Sequence, residues 1–114
     1  MIEIKNDLLS IGILPETGGS FSYMKYKEQD VLRPSKIPES EANFSAMFPM
    51  LPYASFIQDG HFPYFGITRF VPKNTTFSKF PLHGDVWRSK LQVSSRDHTS
   101  VVLSYQHNKN EHGE

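Results

Sequence analysis

The sequence contains no cysteine in its 114 residues. That removes disulfides, thiolate zinc sites, iron–sulfur clusters and cysteine nucleophiles together. It also lacks a charge excess: twelve Lys and Arg balance twelve Asp and Glu, and no basic run occurs. Phosphate binding needs clustered cations, so nucleic acid is not an expected partner. No apolar run approaches the ~20 residues that span a bilayer. The opening MIEIKNDLL has no basic-then-apolar secretory layout. No membrane partner is expected, and the expected location is cytoplasmic. The histidines, His61, His83, His98, His107 and His112, have no tight ligand spacing, so no metal is expected. No nucleophile elbow supports Ser/His/Asp catalysis. There is no internal repeat and no low-complexity linker.

What is present suits one small β domain. Leu, Ile, Val and Phe make up 30 of the 114 residues, above the roughly 20% at which disorder becomes the default. Eight prolines cut the middle of the chain into pieces too short for ordinary helices. Ile2–Lys5 and Leu8–Leu14 read as a pair of strands around an Asn6-Asp7 turn. Phe21–Tyr26 and Thr99–Gln106 read as further strands, the latter with Val101, Leu103 and Tyr105 on one face. Gly60 and Gly66 bracket His61–Phe65, and residues 86–93 supply another expected strand. A helix of one or two turns is expected over Glu39–Met47. Asp97-His98 falls in a polar turn, where a solvated role is expected. The class is all-β. The expected domain covers residues 1–106, and 107–114 is expected to be a polar, disordered tail.

Residues 44–83 stand apart from a plain sheet protein. Ten aromatic residues are interleaved there with five of the eight prolines. Aromatic rings in irregular backbone often line a groove, and flat apolar rings stack on the C–H faces of sugars. The bland alternative is that these rings plug loops at the end of a sheet.

Several motifs fall in an order that carries more information than any one alone. Ile13-Leu14-Pro15-Glu16-Thr17-Gly18-Gly19-Ser20 is followed by Asp30-Val31-Leu32-Arg33-Pro34. Then come Phe48-Pro49-Met50-Leu51-Pro52-Tyr53-Ala54, Ile57-Gln58-Asp59-Gly60, Phe62 to Gly66, and Asn74. Pro81-Leu82-His83-Gly84 and Trp87 complete the set. This series, over about positions 2 to 106, resembles the aldose 1-epimerase (galactose mutarotase) family. The resemblance implies an antiparallel β-sandwich of the mutarotase type, of which this chain is the N-terminal portion. Unpaired sheet edges in such a portion make self-association an expectation.

The resemblance also implies a chemistry. Mutarotases exchange the α and β anomers of a free aldose: a base takes the C1 hydroxyl proton while an acid protonates the ring oxygen. The ring opens, C1 rotates and the ring closes on its other face. This needs acid–base groups on both sides of the sugar and no cofactor. By resemblance, His83 is the catalytic position, facing a hexose cleft near the ring oxygen. An imidazole can donate or accept near neutral pH. Tyr53, Phe56, Arg69 and Trp87 are the expected substrate-binding residues, with Phe65 a further candidate for the cleft wall.

Two departures qualify the expected activity. Where the family has an Asn-Arg pair after Tyr-Ala, this chain has Ser55-Phe56, and a phenyl ring cannot grip hydroxyls as arginine does. Arg69 is the candidate replacement. The family's second catalytic histidine, its substrate-binding aspartate and its base glutamate have no match here, including in the His107–Glu114 tail. The expectation is an epimerase-like protein of carbohydrate metabolism, truncated and inactive alone. The alternative is a non-catalytic carbohydrate-binding or structural remnant of the same fold.

Overall fold

The computed structural model describes residues 1–36 and 41–108. They fall into two compact units, one of Met1–Pro49 with Val86–Tyr105 and one of Met50–Asp85 with Gln106–Glu114. Of the expected disordered tail, 107–114, all but residues 107 and 108 lie outside the described residues.

The first unit is built on a four-stranded antiparallel meander: β1 (Ile2–Lys5), β2 (Leu9–Leu14), β3 (Ser20–Tyr26) and β4 (Gln29–Leu32). The β1–β2 turn works as its sequence suggests. The Asn6 carboxamide oxygen accepts the backbone N–H groups of Leu8 (2.9 Å) and Leu9 (2.8 Å), closing an Asx turn. Across the first three strands Glu3 pairs with Gly12, and Gly12 with Tyr23. Because Gly12 has no side chain, the Tyr23 ring lies across β2, and its hydroxyl hydrogen-bonds the Glu3 carboxylate. Burial pushes the Tyr23 pKa up to about 12, with the Glu3 bond adding to the shift. That same bond is the main reason the Glu3 carboxyl is held below its ordinary value.

The remaining strands among the described residues form two hairpins. In the first unit, β7 (Gln92–Arg96) pairs with β8 (Val101–Ser104). The turn between them is closed by Asp97, whose carboxylate accepts the N–H groups of Thr99 and Ser100, both at 2.8 Å. Those bonds, Thr99's first, hold the Asp97 pKa below its usual range. In the second unit β5 (His61–Tyr64) pairs with β6 (Ile67–Phe70) through a two-residue turn. Phe65 (φ 49°) and Gly66 (φ 75°) supply the two left-handed positions that such a hairpin demands. The expected all-β, antiparallel class is what the structure has.

Two expectations are corrected. Residues 86–93 do not form one strand: Val86–Arg88 is a 3₁₀ turn, and β7 begins only at Gln92. Here long-range bonds override the local pattern. The N–H of Gly18 donates to the Ser89 carbonyl (2.9 Å), and that of Leu91 to the Pro15 carbonyl (2.8 Å). Gly18 has φ 63°, and a Cβ there would lie 2.5 Å from the Trp87 backbone, so only glycine allows this approach. The Glu39–Met47 helix is reduced to one 3₁₀ turn, Ala42–Phe44, with residues 39 and 40 outside the described residues. Its terminal Ser45 caps the turn instead of extending it, the hydroxyl donating to the Ala42 carbonyl at 2.6 Å.

Candidate functional site

His83 is carried on a tight turn in the second unit. Ser55–Ile57 runs antiparallel to Pro81–His83, with Phe56 bridged to Leu82. The Ile57 N–H donates to the Pro81 carbonyl at 3.1 Å and the His83 N–H to the Ser55 carbonyl at 2.9 Å. The chain then turns sharply. His83 (φ 58°) and Gly84 (φ 69°) are left-handed in succession, a conformation that L-residues adopt only when their surroundings impose it. Directly after it, the Asp85 N–H donates to the Leu51 carbonyl at 3.0 Å. A Cβ on Gly84 would overlap that same Leu51 carbonyl group.

The imidazole is held by the residue that its own backbone pairs with. Ser55 is also left-handed (φ 66°) and points its backbone N–H at His83 Nδ1, 2.8 Å away. A nitrogen that accepts from an amide carries no proton, so the neutral ring has its proton on Nε2. His83 therefore offers an N–H donor of fixed identity. Such a donor suits an oxygen that gains negative charge.

Tyr53 and Asp85 belong to the same locality. The half-buried Tyr53 has a hydroxyl shielded from solvent, with no well-aligned hydrogen-bond partner among the described residues. Burial raises its pKa and the nearby Asp85 charge adds to the rise, while the Gly84 backbone N–H opposes it. Asp85 itself meets His107 Nδ1 at 2.5 Å. Phe56, bridged to Leu82 beside His83, is 56% exposed and has a ring face to offer.

Three further sequence-named residues have other settings. Arg69 is on β6, paired across the hairpin with Phe62. Phe65 stands at the hairpin tip, 88% exposed, with its ring edge-on to Tyr64 at 4.6 Å. Trp87 belongs to the first unit and is only 1% exposed. It packs 6.0 Å from Phe48, with the Arg88 guanidinium over its ring at 5.8 Å. A ring so enclosed has no face for a sugar to stack on, and its part is packing.

One residue that matters here was legible only as part of a motif. The Asn74 side chain donates to the carbonyls of Leu82 and Gly84, each at 2.8 Å, and accepts the Leu82 N–H at 2.9 Å. In the sequence, Asn74-Thr75-Thr76 reads as a glycosylation pattern, and nothing local links it to a turn eight residues on. Among the described residues no group of three or more His, Asp or Glu side chains is placed to hold a metal. Among them, no helix is long and apolar enough to cross a membrane.

The family model of aldose 1-epimerase matches residues 1–113. The chain belongs to the aldose 1-epimerase family. Among solved structures, this epimerase-family chain is similar to the crystal structure of a "Putative aldose 1-epimerase" from Escherichia coli K12. The TM-score is 0.85 at 24% sequence identity, over 93% of this chain and 36% of that one. The likeness establishes a shared fold, and the epimerase-family chain spans little more than a third of that structure's length. No curated protein matches it.

Proposed function

We propose that this chain supplies the histidine side of an aldose 1-epimerase site. In this reading it binds a free hexose in a cytoplasmic setting, with Nε2–H of His83 directed at the ring oxygen and Phe56 stacked on a C–H face. Tyr53 and Arg69 are the candidate partners for hydroxyl groups. The observation that carries the reading is the bond from the Ser55 amide to His83 Nδ1, which leaves an oriented N–H donor. In anomer exchange such a donor stabilises charge on the ring oxygen as the ring opens. Full catalysis also requires a base for the C1 hydroxyl proton. Each positioned acid–base group contributes about 10²–10⁴-fold, and His83 is the one such group that this chain's motifs supply. Phe56 in place of the family's arginine further weakens positioning, where ~1 Å of misplacement costs ~10²-fold. The 114-residue chain is therefore proposed to bind sugar without exchanging its anomers. This is the second reading of the sequence, a binding module, applied to the chain by itself.

Polarimetry of freshly dissolved α-glucose or α-galactose with the purified protein tests the proposal. The expected mutarotation rate equals that of buffer. A faster rate that disappears in His83→Ala would establish a complete catalyst and overturn the binding-only reading. Absence of any glucose- or galactose-induced shift in the His83 nuclear magnetic resonance signals would remove the carbohydrate reading itself.

A further inference from the structure

We propose that Asn74 is a positioning residue for His83, and that its carboxamide determines which imidazole nitrogen carries the proton. A carboxamide has two N–H donors and an oxygen with two lone pairs. Asn74 commits both donors and one lone pair to a single turn: the carbonyls of Leu82 and Gly84, and the N–H of Leu82. Two carbonyls require the nitrogen on their side and one N–H requires the oxygen on the other, so only one orientation of the amide fits. The residue between the two bonded carbonyls is His83. Its left-handed φ of 58°, followed by 69° at Gly84, needs such outside support.

The turn in turn places the ring. His83 Nδ1 receives the Ser55 amide at 2.8 Å only while the backbone at 82–84 holds this path and its N–H meets the Ser55 carbonyl at 2.9 Å. Asn74 thus acts on the imidazole through two carbonyls. Aspartate has nearly the same shape and cannot donate. At position 74 it would keep an acceptor for Leu82 N–H but set a carboxylate oxygen against two carbonyl oxygens. The turn would open, and with it the bond that makes Nδ1 the unprotonated nitrogen. The functional meaning of this control rests on the reading of His83 as the sugar-facing donor; the structural control does not.

The test is long-range ¹H–¹⁵N correlation of the histidine rings in the ¹⁵N-labelled 114-residue protein, alone and with glucose. In the unsubstituted protein His83 Nδ1 is expected as the acceptor nitrogen and Nε2 as the protonated one. In Asn74→Asp the ratio of the two tautomers should shift at least tenfold. The Ser55 amide should exchange with solvent at least tenfold faster, while the amides of β2 and β3 keep their protection. A purely structural role would lower the melting temperature and leave the tautomer ratio unchanged; that result overturns the proposal. Should Asn74→Asp fail to fold, the unsubstituted protein decides. A single His83 tautomer with slowly exchanging Asn74 side-chain amide protons supports the proposal, and a mixture of tautomers overturns it. If the tautomer responds to Asn74→Asp but glucose never moves the His83 signals, positioning stands and the carbohydrate reading falls.

Discussion

The two units satisfy their backbone polar groups by different means. In the first unit a four-stranded ladder pairs backbone with backbone, and Ile2, Ile13, Leu91 and Trp87, at most 7% exposed, are buried together with Ser20 and Ser22. Among the described residues, the unit that carries His83 has one hairpin of two four-residue strands and two isolated bridges. Its loops are tied by polar side chains as well as by single backbone bonds. Asn74 holds residues 82–84, the Thr75 hydroxyl accepts the Ser78 N–H at 3.1 Å, and the Ser78 hydroxyl donates to the Phe80 carbonyl at 2.6 Å. A ladder tolerates substitution because its bonds belong to the backbone. A loop tied by named side chains does not, and it can hold a histidine in a conformation that no ladder would produce. Stability in one unit rests on apolar volume, and in the other on where specific atoms are allowed to be.

The largest effect should come from removing volume in the first unit. Trp87→Ala empties a fully buried site and should cost about 3–5 kcal/mol, read by circular dichroism in a denaturant titration. A cost near zero would mean that Trp87 is not part of the core, and would return it to the candidates for a sugar platform.

In the second unit, adding one methyl group should be nearly as damaging. Gly84→Ala combines left-handed strain with overlap of the Leu51 carbonyl and should cost about 3 kcal/mol. Gly66 is the control. Its φ of 75° is similar, but a Cβ there meets nothing within 4 Å, so Gly66→Ala should cost only about 1 kcal/mol. Equal costs for the two variants would show that conformation alone, and not close approach, governs this unit.

The smallest effect is a pH dependence confined to the ladder. The Tyr23 pKa rises from 10.0 to about 12 on folding, so between those values the unfolded chain loses a proton that the folded chain keeps. Its contribution to stability is full below pH 10 and is lost as pH rises toward 12. Glu3 acts in the opposite sense, because its pKa is lowered on folding. Its contribution is present above the ordinary carboxylate value and is lost as pH falls through the folded one. Tyr23→Phe should flatten both limbs of a plot of denaturant midpoint against pH. An unchanged alkaline limb would show that folding does not raise the Tyr23 pKa, and an unchanged acid limb that the Tyr23–Glu3 bond does not form in solution.

How much of this could be read from the sequence follows the same division. The hairpins were legible because their signals are local: the side chain of Asn6, the glycine at position 66, and the aromatic pattern along 21–26. The segment at 86–93 misled because its apolar residues suit a strand, and only its bonds to the distant Gly18 N–H and Pro15 carbonyl reveal the turn. His83 was found through the order of the motifs around it. The Ser55 amide that orients its ring was invisible, since any residue other than proline supplies an amide. Asn74 was visible as a letter in a pattern, but its partners lie eight and ten residues away across an irregular loop. Trp87 shows a limit of residue type: a large flat ring suits a core and a sugar platform equally well until its exposure is known.

The buried tryptophan also determines what the simplest optical experiment can see. It is the protein's sole indole, and it sits in the ladder unit with Phe48 and Arg88 beside it. Its emission should be blue-shifted in the native protein and poorly quenched by acrylamide. It should move to the red when that surrounding packing is lost. The loops around His83 contain no such reporter, so their opening would pass unrecorded in a fluorescence trace. Coincidence of that trace with the His83 resonances during unfolding would mean a single cooperative transition. Separation of the two would mean that a melting curve recorded by fluorescence measures the scaffold and leaves out the site.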